Sequence, residues 1–229
     1  KVNRLPASNL PLAMAGMLLL VFGWLGLNGG SVAHFSSRVP VIMINTMISG
    51  CVAMITALLF SFWTKKEWSV FSAMNGMICG LVAVSAGVHS YTSCNSVMVG
   101  LIAGILMKLT QRLLIKFRID DAVGAIPVHL SGGLWGTLAV AFMGDRAFLG
   151  TGLTRGVQFQ VQAIGAVSIA VWSFAITFLI FFTINKIFRL RISEEQEKIG
   201  LNVVEHGEHN DLSVLLNAMK EHERMGTFE

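Results

Sequence analysis

From Gly156 to Asn185 the chain carries no charged residue. A helix needs about 20 apolar residues to cross a hydrocarbon core of ~30 Å, so this run limits the fold more than any other feature. At ~1.5 Å per residue it overshoots that core and is expected to tilt or protrude. Five further apolar blocks precede it, and together they read as six spanning helices at about 10–29, 40–63, 68–90, 95–115, 123–143 and 157–186. The fourth is the weakest, turning amphipathic and basic after Met107 in KLTQRLLIKFR. Backbone groups inside lipid must satisfy one another, which makes an all-α integral membrane protein the expected fold class. Composition agrees: 13% of the residues are charged, where a soluble domain carries about 25%.

The basic residues orient these spans. Lys1, Arg4, Lys65, Lys66, Lys108, Arg112, Lys116, Arg118, Lys186, Arg189 and Arg191 fall on one side, against only Arg38, Arg146 and Arg155 on the other. The positive-inside rule places both ends in the cytoplasm, giving a multi-pass protein of the inner or plasma membrane. Trp63 and Trp68 flank the TKKE turn as interfacial aromatics would. The net charge of +4 sits beside the spans and calls for no nucleic acid. Cys51, Cys79 and Cys94 lack metal-ligand spacing and read as packing residues. The pairs Gly76/Gly80, Gly100/Gly104 and Gly132/Gly136 have the small-xxx-small spacing that lets helix backbones approach closely in lipid.

Polar groups inside spans are costly, and function is sought there first. In DDAVGAIPVHLSGG, residues 120–133, His129 is the only ionisable residue near the centre of an expected span. A neutral imidazole offers one donor and one acceptor, suited to proton relay or to holding a small polar solute. A histidine bonded to a neighbouring helix for packing is the competing reading. In GWLGLNGGS, residues 23–31, Asn28 and Ser31 lie at the outer end of the first span. There Ser31 could meet a cation before it loses its water, while Asn28 could simply cap a glycine-rich helix end. Asp120 and Asp121 stand where carboxylates satisfy free backbone N–H groups at a helix start, and are expected to cap it rather than bind a cation. His34 and His89 fall at outer helix ends; His206, His209 and His222 lie in the polar tail. No metal and no cofactor is called for.

Taken together, these stretches resemble the ammonium transporter (Amt/Mep/Rh) family. LLVFGWLGLNGGS resembles its sixth-helix signature, DDAVGAIPVHLSGGLWGTLAVAF its tenth-helix motif, and RISEEQEKIGLNVVEHGE its cytoplasmic tail. The resemblance runs from about Leu5 to Glu208 and implies the second inverted repeat plus the long final helix of an eleven-helix fold. It implies a homotrimer whose protomers each carry a pore between two repeats, so the chain is expected to be the C-terminal part of a longer protein. Carried onto this sequence, His129 matches the second of twin pore histidines, Ser31 a serine that recruits ammonium, and Trp24 a residue lining the conduit. Leu27 stands where the family has a gating phenylalanine, and leucine lacks the ring face for cation–π contact. Ala125 replaces a bulkier pore residue, and Pro127 a small one.

The implied function is transport, not enzymology: ammonium is stripped of water and deprotonated, and ammonia passes an apolar, histidine-lined conduit. The alternative is an ammonium-sensing input domain of a membrane signal transducer, with a histidine kinase or cyclic-dinucleotide output and altered or no conduction. Its motive is NDLSVLLNAMKEHERMGTFE, which places Leu212, Leu215, Leu216 and Met219 at helical spacing and stops at Glu229 as a connection would. The expected organisation is a transmembrane domain over 1–192, a cytoplasmic tail over 193–209 and an amphipathic helix over 210–229. The expected partners are ammonium or ammonia, the bilayer, two further copies in a homotrimer, and a PII-type regulator or a fused signalling domain.

Overall fold

The computed structural model describes residues 9–188, 190–199 and 201–207, and all regular elements among them are helical. In chain order they are α1 (Leu10–Gly30), α2 (Arg38–Lys65), α3 (Val70–Ser85), a 3₁₀ turn (Val88–Ser90), α4 (Ser93–Phe117), a π turn (Ile126–Leu130), α5 (Ser131–Met143), the short α6 (Arg146–Leu149), α7 (Arg155–Ile187), α8 (Glu194–Ile199) and α9 (Leu201–His206). The amphipathic segment 210–229 lies outside the described residues, as do Lys1, Arg4, His209 and His222.

Five helical segments are long and apolar enough to cross a membrane: α1, α2, α4, Ile126–Met143 and α7. The third expected span, 68–90, is shorter as a helix, because α3 stops at Ser85 after 16 residues. Its apolar sequence continues as the 3₁₀ turn, in which Val88 and Ser90 are buried beside Tyr91. Gly87 has no side chain because a methyl there would strike the Tyr91 ring. Ser69 caps α3 by accepting from Ser72 N at 3.2 Å, and Thr92 caps α4 by accepting from Asn95 N at 3.2 Å.

The described residues divide into two compact units, with the division inside α7. In the first, Pro11–Ala170, α2, α3, α4 and α5 pack on one another. Their contacts are set by the glycine pairs. Gly76 and Gly80 of α3 press on Ala53 and Ser49 of α2, and Gly104 and Gly100 of α4 press on the same two residues. A methyl at Gly76 would lie 2.7 Å from Ala53 O, and one at Gly104 2.8 Å from it. Gly132 and Gly136 of α5 meet Cys79 and Ala83 of α3. Each glycine pair thus faces another i, i+4 pair of small residues, and backbones approach where no side chain intervenes. Ser49 Oγ donates to Gly80 O at 2.9 Å across the tightest of these crossings.

His129 is not alone as an ionisable group within the spans. Lys108, within the fourth expected span, is buried on α4 with 4% of its surface exposed. Its ammonium donates to Ser72 Oγ at 2.8 Å and Gln111 Oε1 at 3.0 Å, and Ser61 Oγ donates to Ser72 Oγ at 2.8 Å. The basic turn of the weakest expected span therefore ties α2, α3 and α4 together.

The second unit comprises residues 9–10 and the described chain from Val171 onward. Phe174, Phe178 and Phe182 stack one helical turn apart, with centroids 6.1 and 6.0 Å apart, and the Lys186 ammonium stands 4.7 Å from the Phe182 ring. Ser193 and Gln196 form a capping box that starts α8: Gln196 N donates to Ser193 Oγ at 3.3 Å and Ser193 N to Gln196 Oε1 at 3.0 Å.

Candidate functional site

The last turns of α1 carry Trp24, Leu27 and Asn28, and Ser31 follows as the helix ends. Asn28 does not cap this end. It is buried, α1 runs on to Gly30, and the Asn28 amide donates to Thr46 Oγ1 of α2 at 3.1 Å. Gly29 permits this approach, since a methyl there would lie 3.3 Å from the Met43 side chain. Trp24 Nε1 donates to Ser85 Oγ of α3 at 2.9 Å. Ser31 Oγ donates back to Leu27 O at 2.6 Å, which leaves its lone pairs outward. The Leu27 side chain is 58% exposed.

These helix ends border an open cavity of about 330 Å³, lined by Asn28, Ser31, Val32, Ser85, Val88 and His89. No carboxylate among the described residues lines it. Ser85 Oγ donates to Leu81 O at 2.7 Å and accepts from Trp24, so its hydroxyl proton is spent inside the protein. His89 stands in the 3₁₀ turn outside the spans. Burial, and after it the charge of Arg38, lower its pKa below the usual 6.5. The Arg38 guanidinium lies 3.5 Å from the centroid of the Phe148 ring.

His129 is not among the residues lining this cavity. It is exposed, on the π turn that opens the helical segment leading into α5. Asp121 starts that segment: Oδ1 accepts from Gly124 N at 2.9 Å and Ala125 N at 2.8 Å, and Oδ2 from Ile126 N at 2.9 Å. Asp120 is exposed and has no hydrogen bond among the described residues. Gly124 has φ +79°, a conformation open to glycine, and lies against the Asn75 amide. Pro127 has no N–H to give, and Ser131 N bonds five residues back to Ile126 O. Its carbonyl accepts from Ser131 Oγ and faces the Cys79 thiol at 3.8 Å. A π turn inserted in a helix is a frequent mark of a functional position.

The structure thus brings Ser31 into one cavity and links Trp24 to it through Ser85. It holds His129 apart on the π turn, with α3 bordering both places. Ser85 escaped notice in the sequence because nothing local marks it, Trp24 and Ser85 being separated by 61 positions, and His89 stood out only as a histidine at an outer helix end. Among the described residues, no three His, Cys, Asp or Glu side chains come together as a metal site would require.

The Ammonium Transporter Family profile matches residues 1–211. The chain is 35% identical over 214 residues to Ammonium transporter Amt2 of Archaeoglobus fulgidus, covering 88% of this chain and 46% of that protein. It is 33% identical over 211 residues to an Ammonium transporter of Mycobacterium bovis, covering 87% of this chain and 44% of the relative. A solved structure described as Sensor Amt Protein superimposes with a TM-score of 0.85 at 37% identity, over 90% of this chain and 51% of that one. The chain spans about half the length of the proteins it matches. A family of transporters, not of enzymes, accounts for nearly its whole length: the chain belongs to the Ammonium Transporter Family.

Proposed function

We propose that this chain forms one wall of an ammonium pathway, with Ser31, Trp24 and Leu27 at its outer mouth and His129 deeper in the conduit. The observation that carries the reading is the cavity joining Ser31 to Ser85 and, through it, to Trp24. Its hydroxyl protons are spent within the protein, and it presents hydrogen-bond acceptors without a carboxylate. Such a mouth suits a small cation rich in N–H donors. His129, exposed on a π turn, supplies the imidazole expected to pass ammonia and relay a proton. The partner histidine belongs to the other half of the pore, which the matching half-length of the relatives supports.

The same reading takes the helices as six spans, α3 being a short one, that form the second repeat and final helix of the fold. The protein assembles as a homotrimer with its C-terminus in the cytoplasm. Residues 193–209 form the cytoplasmic tail, and the segment 210–229 links to a signalling domain or meets a PII-type regulator. The test is electrical recording of the intact protein in planar bilayers. An ammonium-dependent current that His129→Ala abolishes supports conduction; no current and no ammonium binding refutes the pathway.

A sensing role is the second reading, favoured by the close superposition on the Sensor Amt Protein. It expects ammonium binding in the intact protein with altered or no current.

A further inference from the structure

We propose that His89 is a specificity-determining residue at the mouth of this pathway, its imidazole accepting a hydrogen bond from an ammonium ion that Ser31 Oγ also holds. The inference deepens the pathway reading above and rests on it.

Around the cavity most polar protons are already committed. The Ser31 proton goes to Leu27 O, the Ser85 proton to Leu81 O, and an Asn28 amide proton to Thr46 Oγ1. Ser85 Oγ already receives the Trp24 indole. Ser31 Oγ keeps lone pairs, and His89 has no hydrogen-bond partner among the described residues although it lines the same cavity. A neutral imidazole has one acceptor nitrogen. Burial and the Arg38 charge both disfavour its protonation, so that lone pair persists at neutral pH. Arg38 itself is held against Phe148.

Neutral acceptors, with no carboxylate among the described lining residues, recognise a ligand by its directed donors more than by its charge. Ammonium has four N–H bonds at tetrahedral angles and can serve both at once. Potassium has a similar charge and no donor. A cavity of about 330 Å³ admits the ion with some of its water.

The test uses the intact protein, reading ammonium half-saturation by current in bilayers or, if it does not conduct, by calorimetric binding. In His89→Ala the half-saturating ammonium concentration is expected to rise roughly 3–10-fold, the loss of one hydrogen bond. His89→Gln retains an acceptor oxygen and is expected to restore most of the affinity. Potassium should compete more strongly in the alanine variant than in the native protein. Half-saturation unchanged in His89→Ala overturns the role of His89 and leaves the pathway reading standing. A glutamine variant as weak as the alanine one overturns the acceptor role. A native protein that neither conducts nor binds ammonium overturns both.

Discussion

The Trp24 indole donates to the Ser85 hydroxyl across 2.9 Å, and with Val21 packed on Met77 and Leu81 this bond fastens the largely exposed helix α1 to the packed helix α3. Most of α1 is exposed, with only Val21, Asn28 and Gly29 buried, so two side-chain bonds set where its end stands: this one and Asn28 to Thr46. Trp24→Phe keeps an aromatic ring, smaller than the indole, and loses the donor; Ser85→Ala loses the acceptor. Each is expected to destabilise by about 1 kcal/mol. In a double-mutant cycle the pair should cost less than the sum of the singles, measured by thermal denaturation in detergent. Additive losses would show that the bond carries no energy of its own.

The glycine contacts lead to a graded prediction. At Gly80 a methyl would strike α2 backbone, 2.9 Å from Gly50 Cα, whereas at Gly50 it would meet only the ends of Met77 and Leu81 side chains. Backbone cannot give way as a flexible thioether can. Gly80→Ala is therefore expected to cost about 3 kcal/mol or to prevent folding, and Gly50→Ala about 1 kcal/mol. Yield of monodisperse protein and its melting temperature check the order; equal effects would count against the crossing geometry.

Asp121 accepts from three backbone N–H groups at the start of the segment bearing His129. Asp121→Ala is expected to cost about 2 kcal/mol, while the exposed Asp120→Ala should cost little. Because the same cap fixes the π turn, Asp121→Ala should also lower ammonium-dependent activity more than Asp120→Ala. Equal stability of the two variants would refute the assignment.

For His89 the sign of the pH effect can be worked out. Its folded pKa lies below the usual 6.5, so the unfolded chain takes up the proton first as pH falls. The contribution to stability is complete above the unfolded value and is lost as pH drops through the folded one. Histidine NMR titration should place the His89 midpoint below 6.5. Arg38→Gln removes the charge but not the burial, so the midpoint should rise part of the way. No movement would show that burial alone sets it.

Lys108 offers a last check. Lys108→Met keeps most of the chain volume and removes the charge, whereas Lys108→Ala also leaves a cavity between α3 and α4. The alanine variant is expected to lose more stability, by about 2 kcal/mol, as read by chemical denaturation. An alanine variant as stable as the methionine one would show that packing contributes nothing there.

Much of this was legible in the sequence. The apolar runs marked α1, α2, α4, α5 and α7, because hydrocarbon length and backbone satisfaction leave a chain little choice over such runs. The three glycine pairs foretold close packing, since i, i+4 spacing is a property of the helix itself. What they pack against was not written locally: α3 and α4 share the one pair Ser49 and Ala53, which only the crossing of three helices decides. The 3₁₀ turn after Ser85 was hidden because the apolar run leads into it without a break, and only the fold shows the Tyr91 ring packed against Gly87 there.

The site divides the same way. Motif and chemistry singled out Ser31, Trp24 and His129, since polar groups are rare in apolar runs and each stands out against its neighbours. Hydrogen bonds between residues as distant as Trp24 and Ser85, the descent of Lys108 into the core, and the meeting of Ser31 with His89 around one cavity depend on how helices cross. By itself the sequence determined that this chain lives in a membrane and which family's pattern it carries, because composition and spacing are local. Only the tertiary structure decided which polar groups spend their hydrogen bonds on one another and which, like the His89 imidazole, find no partner among the described residues.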